Sequence, residues 1–494
     1  MIFLKHVKSL GLVSLFICLM LSAGPNQAPE TMQRFEDFAI QAMKTHHVPG
    51  CSIAIVKDNE IFYAKGFGYR DVENKKLVDP ETIFPIASCT KAFTATALGK
   101  LVDQEKLDWD TPIKTYLSNF AMYDKEATEK LSIRDCLCHR SGLPDHGYDD
   151  FLVNPLNPFR FKSGGELVSN LQYLKPNAKF REKWQYNNMM YALAGYVLEI
   201  VSGMPWNVFV KENITKPLGM KNTYFSSSDV QEHQNAALGY EFESPSQSFK
   251  YVDYDDRGIS SPAGAILSSA VDMAQWVIAN LQGTGINKEI YKPQILIEQS
   301  AHSYCLGWLK TSDNHFWHSG NLNGCSAVVD FIPKEHIGLV ILSNINVDTN
   351  GFHELLTQYT YACMTNNEEK ILELEKVEPQ KADDTSYKQM PEKKNKITPS
   401  ISMPQANQFV GTYHNNMLGE IFITFNGSYL ETSITCLSQT FAIECIDQDT
   451  FKEIDKDGDD QGLCTFCFKR NNSETVTSFE TEIGKNCPFE FVKV

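Results

Sequence analysis

Between residues 30 and 48, Met32, Phe35, Phe38, Ala39, Ala42 and Met43 recur at helical spacing and predict a helix with one apolar face. Val48-Pro49-Gly50 breaks the pattern. Two strand-like runs follow, Cys51–Lys57 and Ile61–Gly66, and Asp58-Asn59 between them predicts a hairpin. A second helix is expected to begin near Ser88, with Phe93, Ala97, Leu98, Leu101 and Val102 at apolar positions. Another opens at Tyr186-Asn187-Asn188 and carries Leu193, Ala194, Val197 and Leu198. Much later come three more strands, His315–Ser319, Ser326–Phe331 and Ile337–Leu342. Strands at both ends of one long region, with helices between, predict an antiparallel sheet closed by both ends of the chain, in an α+β layered architecture.

Around residues 366–405 the pattern changes. Charged and polar residues dominate, with Pro379, Pro391, Pro399 and Pro404, and after a helical start reaching about Val377 the segment reads as a linker. From Gln408 onward short strands alternate with polar turns: Phe409–Tyr413, Glu420–Phe425, Tyr429–Ile434, Phe441–Ile446, Thr450–Ile454, Cys464–Phe468, Val476–Glu480 and Phe489–Val492. That rhythm predicts a small sandwich or up-and-down barrel. The expected division is a large α+β domain over 30–365, a linker over 366–405 and a small all-β domain over 406–494.

At the N-terminus Lys5, His6 and Lys8 precede an apolar run from Leu10 to Leu21, followed by Ser22, Ala23 and Gly24. This order predicts a signal peptide over 1–24 and a periplasmic or secreted protein. The run falls short of the ~20 residues a spanning helix needs, and an uncleaved anchor is the alternative. Lys and Arg number 45 against 61 Asp and Glu, a net charge of -16. Such a balance opposes binding to nucleic acid or to an anionic membrane surface, and no basic patch offsets it. Of 13 cysteines, Cys436, Cys445, Cys464, Cys467 and Cys487 fall near the C-terminus, where an exported chain has room for one or two disulfides. Most of the others lie in apolar runs and read as small buried hydrophobes.

The sharpest chemical signal is Ser88-Cys89-Thr90-Lys91 at the start of an apolar helix. Residues three apart share a helix face. A lysine held beside a serine hydroxyl in an apolar site can act as its base, and a helix N-terminus offers N–H groups to a developing oxyanion. A second fragment is Tyr186-Asn187-Asn188, where the tyrosine could relay a proton and Asn188 could donate to a substrate carbonyl. The third is His318-Ser319-Gly320, which runs through Asn321 into a turn; its glycine lets a substrate approach the strand edge. Taken singly, each has an ordinary reading: a chance S-x-x-K, a tyrosine packing at a helix start, a hairpin.

Their order and spacing together resemble the serine β-lactamase/penicillin-binding-protein superfamily. The nearest branch is the class C β-lactamase-like serine hydrolases, which include D-aminopeptidases, D-Ala-D-Ala carboxypeptidases and esterases. His47-Val48-Pro49-Gly50, Leu107-Asp108-Trp109-Asp110-Thr111-Pro112, Ser132-Ile133-Arg134-Asp135, His139-Arg140-Ser141-Gly142-Leu143-Pro144, Pro217-Leu218-Gly219-Met220 and Pro262-Ala263-Gly264 fit the same branch. The resemblance covers roughly 30–365 and implies a β-lactamase/transpeptidase-like fold, an antiparallel sheet flanked by helices plus an all-helical region. Phe409-Val410-Gly411-Thr412-Tyr413 and the strand rhythm resemble the lipocalin-like barrel that some of these hydrolases carry.

Residue by residue, the resemblance implies Ser88 as acylated nucleophile, Lys91 as its base and Tyr186 as proton carrier. His318 is implied with them among the catalytic residues, Asn188, Ser319, Gly320 and Asn321 match substrate-binding positions, and the N–H groups of Ser88 and Asn321 would form the oxyanion hole. The implied substrates are peptides, D-amino-acid amides or small esters, including cell-wall-derived ones, with no cofactor. His318 departs from the lysine usual in β-lactamases, which puts β-lactam hydrolysis in doubt. An imidazole titrating near pH 6.5 is then expected to weigh substrate carboxylates differently at pH 6 and pH 8. True β-lactamase or carboxypeptidase activity, or a catalytically silent scaffold, stand as alternatives.

Weaker motifs carry less. Glu453-Ile454-Asp455-Lys456-Asp457-Gly458-Asp459 resembles part of a calcium loop, but its twelfth position is Cys464, so it reads as an acidic hairpin turn. Cys464 and Cys467 have no second pair at zinc-site distance, so no metal is expected there. Cys136-Leu137-Cys138-His139 reads as packing. The G-x-S-x-G and phosphate-loop patterns are absent.

Overall fold

The structure, a computed structural model, describes residues 27–146, 161–230, 233–243, 246–254, 256–346, 351–376, 403–427, 429–434, 440–454, 464–483 and 488–494. The expected signal peptide, most of the linker and the acidic turn at 455–459 lie outside these residues.

Strands β1 (Gly50–Lys57) and β2 (Glu60–Asp71) form the expected hairpin. Asp58 and Asn59 turn it with φ of 53° and 65°, the left-handed pair that a two-residue hairpin needs. The short strands β3 (Lys76–Leu77) and β4 (Ile83–Pro85) follow, then β5 (Gly239–Glu243), β6 (Ser248–Val252), β7 (Leu267–Ser269), β8 (Ile295–Leu296), β9 (Ser303–Tyr304) and β10 (Leu309–Lys310). The last three of the large domain are β11 (Phe316–Leu322), β12 (Cys325–Ile332) and β13 (Ile337–Ser343). One nine-stranded sheet runs β3-β2-β1-β13-β12-β11-β10-β9-β8. Its centre pairs β1 antiparallel with β13, so both ends of the domain close one sheet, as the strand pattern predicts.

Both faces of that centre are covered, which is why β1 and β13 read as unbroken apolar runs. Cys51, Ile53 and Ile55 face helices α1 (Gln27–Thr45), α5 (Phe352–Met364) and α6 (Glu368–Glu375). Ala54 and Val56 turn to the opposite layer, built from α2 (Thr90–Asp103), α3 (Asn188–Ser202) and α4 (Ala270–Gln282). Alternate residues of a strand serve opposite faces, so one strand feeds both cores. α1 stops short of residue 48: His47 turns left-handed at φ 51° and the Val48 N–H reaches back to the Met43 carbonyl, a closing bond that ends the helix.

The C-terminal strands form a closed eight-stranded antiparallel barrel: β14 (Gly411–Asn415), β15 (Gly419–Phe425), β16 (Leu430–Ile434), β17 (Thr440–Asp447), β18 (Thr450–Ile454), β19 (Cys464–Arg470), β20 (Val476–Ile483) and β21 (Pro488–Lys493). All eight expected strands are present within a few residues of their expected limits. β14 begins later because Phe409 serves as a core ring ahead of it. Phe409–Phe451 centroids lie 4.8 Å apart, Phe468–Phe479 5.3 Å and Phe479–Phe491 5.0 Å, so aromatic side chains pack the interior. Cys467 is a free thiol and does not form the disulfide that export would allow. Cys436 and Cys487 lie outside the described residues. Among the described residues no group of His, Cys, Asp and Glu could hold a metal ion, and no single helix is long and apolar enough to cross a membrane.

Candidate active site

Ser88 sits where β4 gives way to α2. The Ile86 N–H bonds the Ile266 carbonyl at 2.9 Å, and Thr90 Oγ1 accepts from the Ile266 N–H, which fastens the turn to β7's approach. Ala87 then takes a left-handed φ of 45°, and a 3-10 turn over Ala87–Cys89 feeds α2. A non-glycine residue in that region is held there by its surroundings. Here the surroundings include Gly320, whose strand lies directly on the turn, and the Cys89 thiol, which donates to the His318 carbonyl at 3.2 Å.

Lys91 is fully buried on the same side of α2. Its Nζ lies 3.0 Å from Ser88 Oγ, 2.7 Å from Asn188 Oδ1 and 2.9 Å from the Ala263 carbonyl oxygen. Three separate segments of sequence therefore converge on one amine. It also stands over the ring of Tyr186, 4.7 Å from the centroid, and 5.3 Å from that of Tyr191. Asn188 opens α3, whose N-cap Asn187 accepts from the Met190 N–H through its side chain.

The loop before α3 is held from below by the 132–140 segment. Asp135, wholly buried, receives Ser132 N–H, Arg140 Nε at 2.5 Å and Arg181 Nη2 at 2.7 Å. The Arg181 N–H bonds the Arg140 carbonyl, the Gln185 N–H bonds the His139 carbonyl, and the Asn187 N–H bonds His139 Nδ1 at 3.0 Å. A buried charge needs such company, and Asp135 has it from both loops at once. His146 stacks on the Tyr186 ring, with centroids 4.8 Å apart.

His318 is inside, at 3 % exposure. Its Nδ1 lies 2.6 Å from the Ser319 carbonyl, which can only accept, so the ring proton sits on Nδ1 and Nε2 accepts from the Tyr304 hydroxyl at 3.0 Å. Burial first, and then the charge of Lys91, pushes its pKa down to about 3. This corrects the expectation of an imidazole titrating near pH 6.5. Both ring nitrogens are occupied within the protein, and the ring is neutral across the whole range from pH 6 to pH 8.

Along β11, Phe316, His318 and Gly320 are buried, while Ser319 is half-buried and Asn321 exposed. His318 and Gly320 thus face the Ser88 turn, and the Ser319 and Asn321 side chains alternate away from it. What this strand offers at Asn321 is main chain. β10 pairs only with Phe316 and Trp317, so among the described residues no strand covers the β11 edge from His318 to Leu322.

All eight residues singled out in the sequence lie in this one region of the fold. Several partners were not singled out: the Ala263 carbonyl, Tyr191, Tyr304, His146 and the supporting role of His139. Two of these lie in stretches that carry the family resemblance, His139 in His139-Arg140-Ser141-Gly142-Leu143-Pro144 and Ala263 in Pro262-Ala263-Gly264, although Cys136-Leu137-Cys138-His139 reads as packing and neither stretch assigns the residue a role. The others come from segments whose local pattern is that of ordinary core or loop.

Comparison with known proteins agrees with this geometry. The Beta-lactamase family model matches residues 35–360. Protein flp of Staphylococcus aureus (strain MW2) is 28% identical over 325 residues, covering 64% of this chain and 64% of that protein. Unguisins hydrolase ungD' of Aspergillus campestris is 28% identical over 354 residues, 67% of this chain and 65% of the relative. The chain thus spans just under two thirds of the length of these curated relatives. An octameric penicillin-binding protein homologue from Pyrococcus abyssi shares the fold with a TM-score of 0.61 at 23% identity, over 94% of this chain and 100% of that one. With a β-lactamase/transpeptidase-like domain matched over 35–360 and the Ser88–Lys91 pair at its centre, the chain belongs to the beta-lactamase family.

Proposed function

We propose that the protein is an exported serine hydrolase that works through an acyl-enzyme on Ser88. The observation that carries this reading is the 3.0 Å contact between Lys91 Nζ and Ser88 Oγ in a buried setting. In acylation Ser88 Oγ bonds to the substrate carbonyl carbon and its proton passes to the Lys91–Tyr186 pair. That pair then delivers a proton to the departing amine or alkoxide as the scissile bond breaks. In deacylation water takes the place of the leaving group, gives a proton to the same pair and restores the Ser88 hydroxyl. Backbone N–H groups of Ser88 and Asn321 hold the oxyanion in both steps.

The substrates that suit this site are short peptides, D-amino-acid amides and small esters. The uncovered edge of β11 beside Ser88 supports an extended peptide backbone lying along it. A neutral, internally bonded His318 favours substrates without a required carboxylate at that position. Relatives that include a named hydrolase support turnover over a silent scaffold. The deciding experiment is fluorophosphonate labelling followed by mass spectrometry, with the adduct expected on Ser88. A screen of D- and L-aminoacyl amides, p-nitrophenyl esters and a chromogenic cephalosporin then ranks the substrate classes. An unlabelled protein, or an adduct elsewhere, overturns the reading.

A further inference from the structure

We propose that His139 is a positioning residue for Tyr186, gripping the Tyr186 backbone on both sides and backing its ring. This rests on the hydrolase reading of Ser88, Lys91 and Tyr186. The residues flanking Tyr186 are both tied to His139: Gln185 N–H donates to its carbonyl at 2.8 Å, and Asn187 N–H donates to its Nδ1 at 3.0 Å. Between those two bonds the Tyr186 ring lies 4.3 Å from the imidazole, centroid to centroid. Lys91 Nζ stands 4.7 Å from the centroid of the same ring, and the His146 ring 4.8 Å from it. The distance from the proton carrier to the base is therefore set through His139.

Packing alone does not account for this residue. Accepting from Asn187 N–H leaves the proton of the neutral ring on Nε2. That nitrogen is buried with no hydrogen-bond partner among the described residues, a cost that an apolar side chain would avoid. His139 also holds a left-handed φ of 59°, where His, Asn and Asp are tolerated and branched or bulky apolar residues are not. The groups that face it are Lys91 from α2, His318 from β11, His146 and Tyr186 from the neighbouring loops, Tyr191 from α3 and Tyr304 from β9. Burial, and then the charge of Lys91, push its pKa well below the usual histidine range. Neutrality is what the grip requires, because a proton on Nδ1 would oppose the Asn187 N–H.

The test compares His139→Asn with His139→Leu in the full chain. Asparagine places an acceptor oxygen near the site of Nδ1 and tolerates the left-handed backbone; leucine does neither. Ser88 should still label to completion with the fluorophosphonate in both. With a p-nitrophenyl ester, kcat should fall about a hundredfold in His139→Leu with little change in KM, and by less than about tenfold in His139→Asn. The alkaline limb of the kcat–pH profile should move in the leucine variant, where Tyr186 is no longer held against Lys91, and stay in place in the asparagine variant. If His139→Leu does not fold, His139→Ala serves the same comparison. Equal losses in both variants with an unmoved limb, or no loss in the leucine variant, overturn the assignment. Absence of labelling in the wild type overturns the hydrolase reading itself.

Discussion

Gly320 and the backbone nitrogen of Ser88 lie so close that no side chain fits between them: a Cβ on Gly320 would stand 2.9 Å from Ser88 N and 2.2 Å from the Ile86 carbonyl oxygen. Both contacts are backbone, which cannot swing aside as a side chain would. The left-handed Ala87 adds a third obstacle, its Cβ at 3.0 Å. The glycine of the His318-Ser319-Gly320 fragment is therefore required by the docking of β11 onto the Ser88 turn. Gly320→Ala must push the strand from the turn, and overpacking of this kind costs about 1–3 kcal/mol. We expect a lowered Tm together with at least a hundredfold loss of kcat/KM, since small misplacements at a reacting centre cost about that much. Thermal melts and ester hydrolysis on the same preparation check it; a variant with normal turnover would show that strand and turn can separate without harm.

If Ser88 is the nucleophile and Lys91 its base, removing either should be severe and the losses should not be additive. Ser88→Ala is expected to lose nearly all turnover, by up to roughly a millionfold, and Lys91→Met comparably, because the two act as a unit. The double variant should be no worse than either alone. Tyr186→Phe should fold and lose about 10²–10⁴ in rate. Single-turnover kinetics of the three variants and the double separate these outcomes. An additive double variant would mean that Lys91 and Ser88 act independently.

Much of this arrangement is legible in the sequence because it rests on local spacing. Ser88 and Lys91 share a face through helix geometry alone, and the Asp58-Asn59 turn and the eight barrel strands follow from short-range pattern. What spacing does not carry is which distant backbone atom meets a buried group. Ala263 supplies a carbonyl to Lys91, and any residue type could do so. Tyr304 occupies the free nitrogen of His318 from a two-residue strand with no distinctive pattern of its own. The titration of His318 was misjudged for this reason: an imidazole's pKa depends on burial and neighbours, and both are tertiary facts. The role of His139 is not legible in its stretch of sequence, because its chemistry is a grip on a loop that arrives some distance along the chain.

Acid should unfold this protein early. His139, His318 and His353 are buried with depressed pKa values, about 3 for the last two, with burial the leading cause in each. In the unfolded chain each takes up a proton near pH 6.5. Their contribution to stability is thus complete above pH 6.5 and is lost as pH falls toward 3. Each proton is worth about 1.4 kcal/mol per pH unit, so the three together give a slope of up to about 4 kcal/mol per unit between pH 6 and 4. His315 works the other way: despite burial, Asp330 raises its pKa, so its contribution is present below pH 6.5 and is lost at higher pH, outside that window. Urea unfolding across pH 4–7 measures the slope. His353→Gln, which can still hydrogen-bond the Ser343 hydroxyl, should reduce it by about one proton. An unchanged slope in that variant would mean that His353 does not stay neutral in the fold.

Under the hydrolase reading, the preference of the protein between charged and neutral substrates should not depend on pH between 6 and 8. A protonated imidazole at position 318 would attract a substrate carboxylate, and more of it would be present at pH 6. But His318 is neutral down to a pKa of about 3, and its two nitrogens already serve the Ser319 carbonyl and the Tyr304 hydroxyl. It can offer a substrate neither a charge nor a free donor. The ratio of kcat/KM for a carboxylate-bearing peptide ester to that for its matched neutral ester is expected to be the same at pH 6 and pH 8. His318→Gln, which keeps an acceptor for Tyr304, should leave that ratio unchanged and reduce turnover by less than about tenfold, the scale of one neutral hydrogen bond. His318→Lys should fare worse, because it would bring a second ammonium toward Lys91 and leave the Tyr304 hydroxyl without its acceptor. A wild-type ratio that rises at pH 6 and flattens in His318→Gln would place a charged imidazole against the substrate. Tyr304 would then have to turn away from Nε2 during turnover, and Tyr304→Phe would be expected to raise the ratio further.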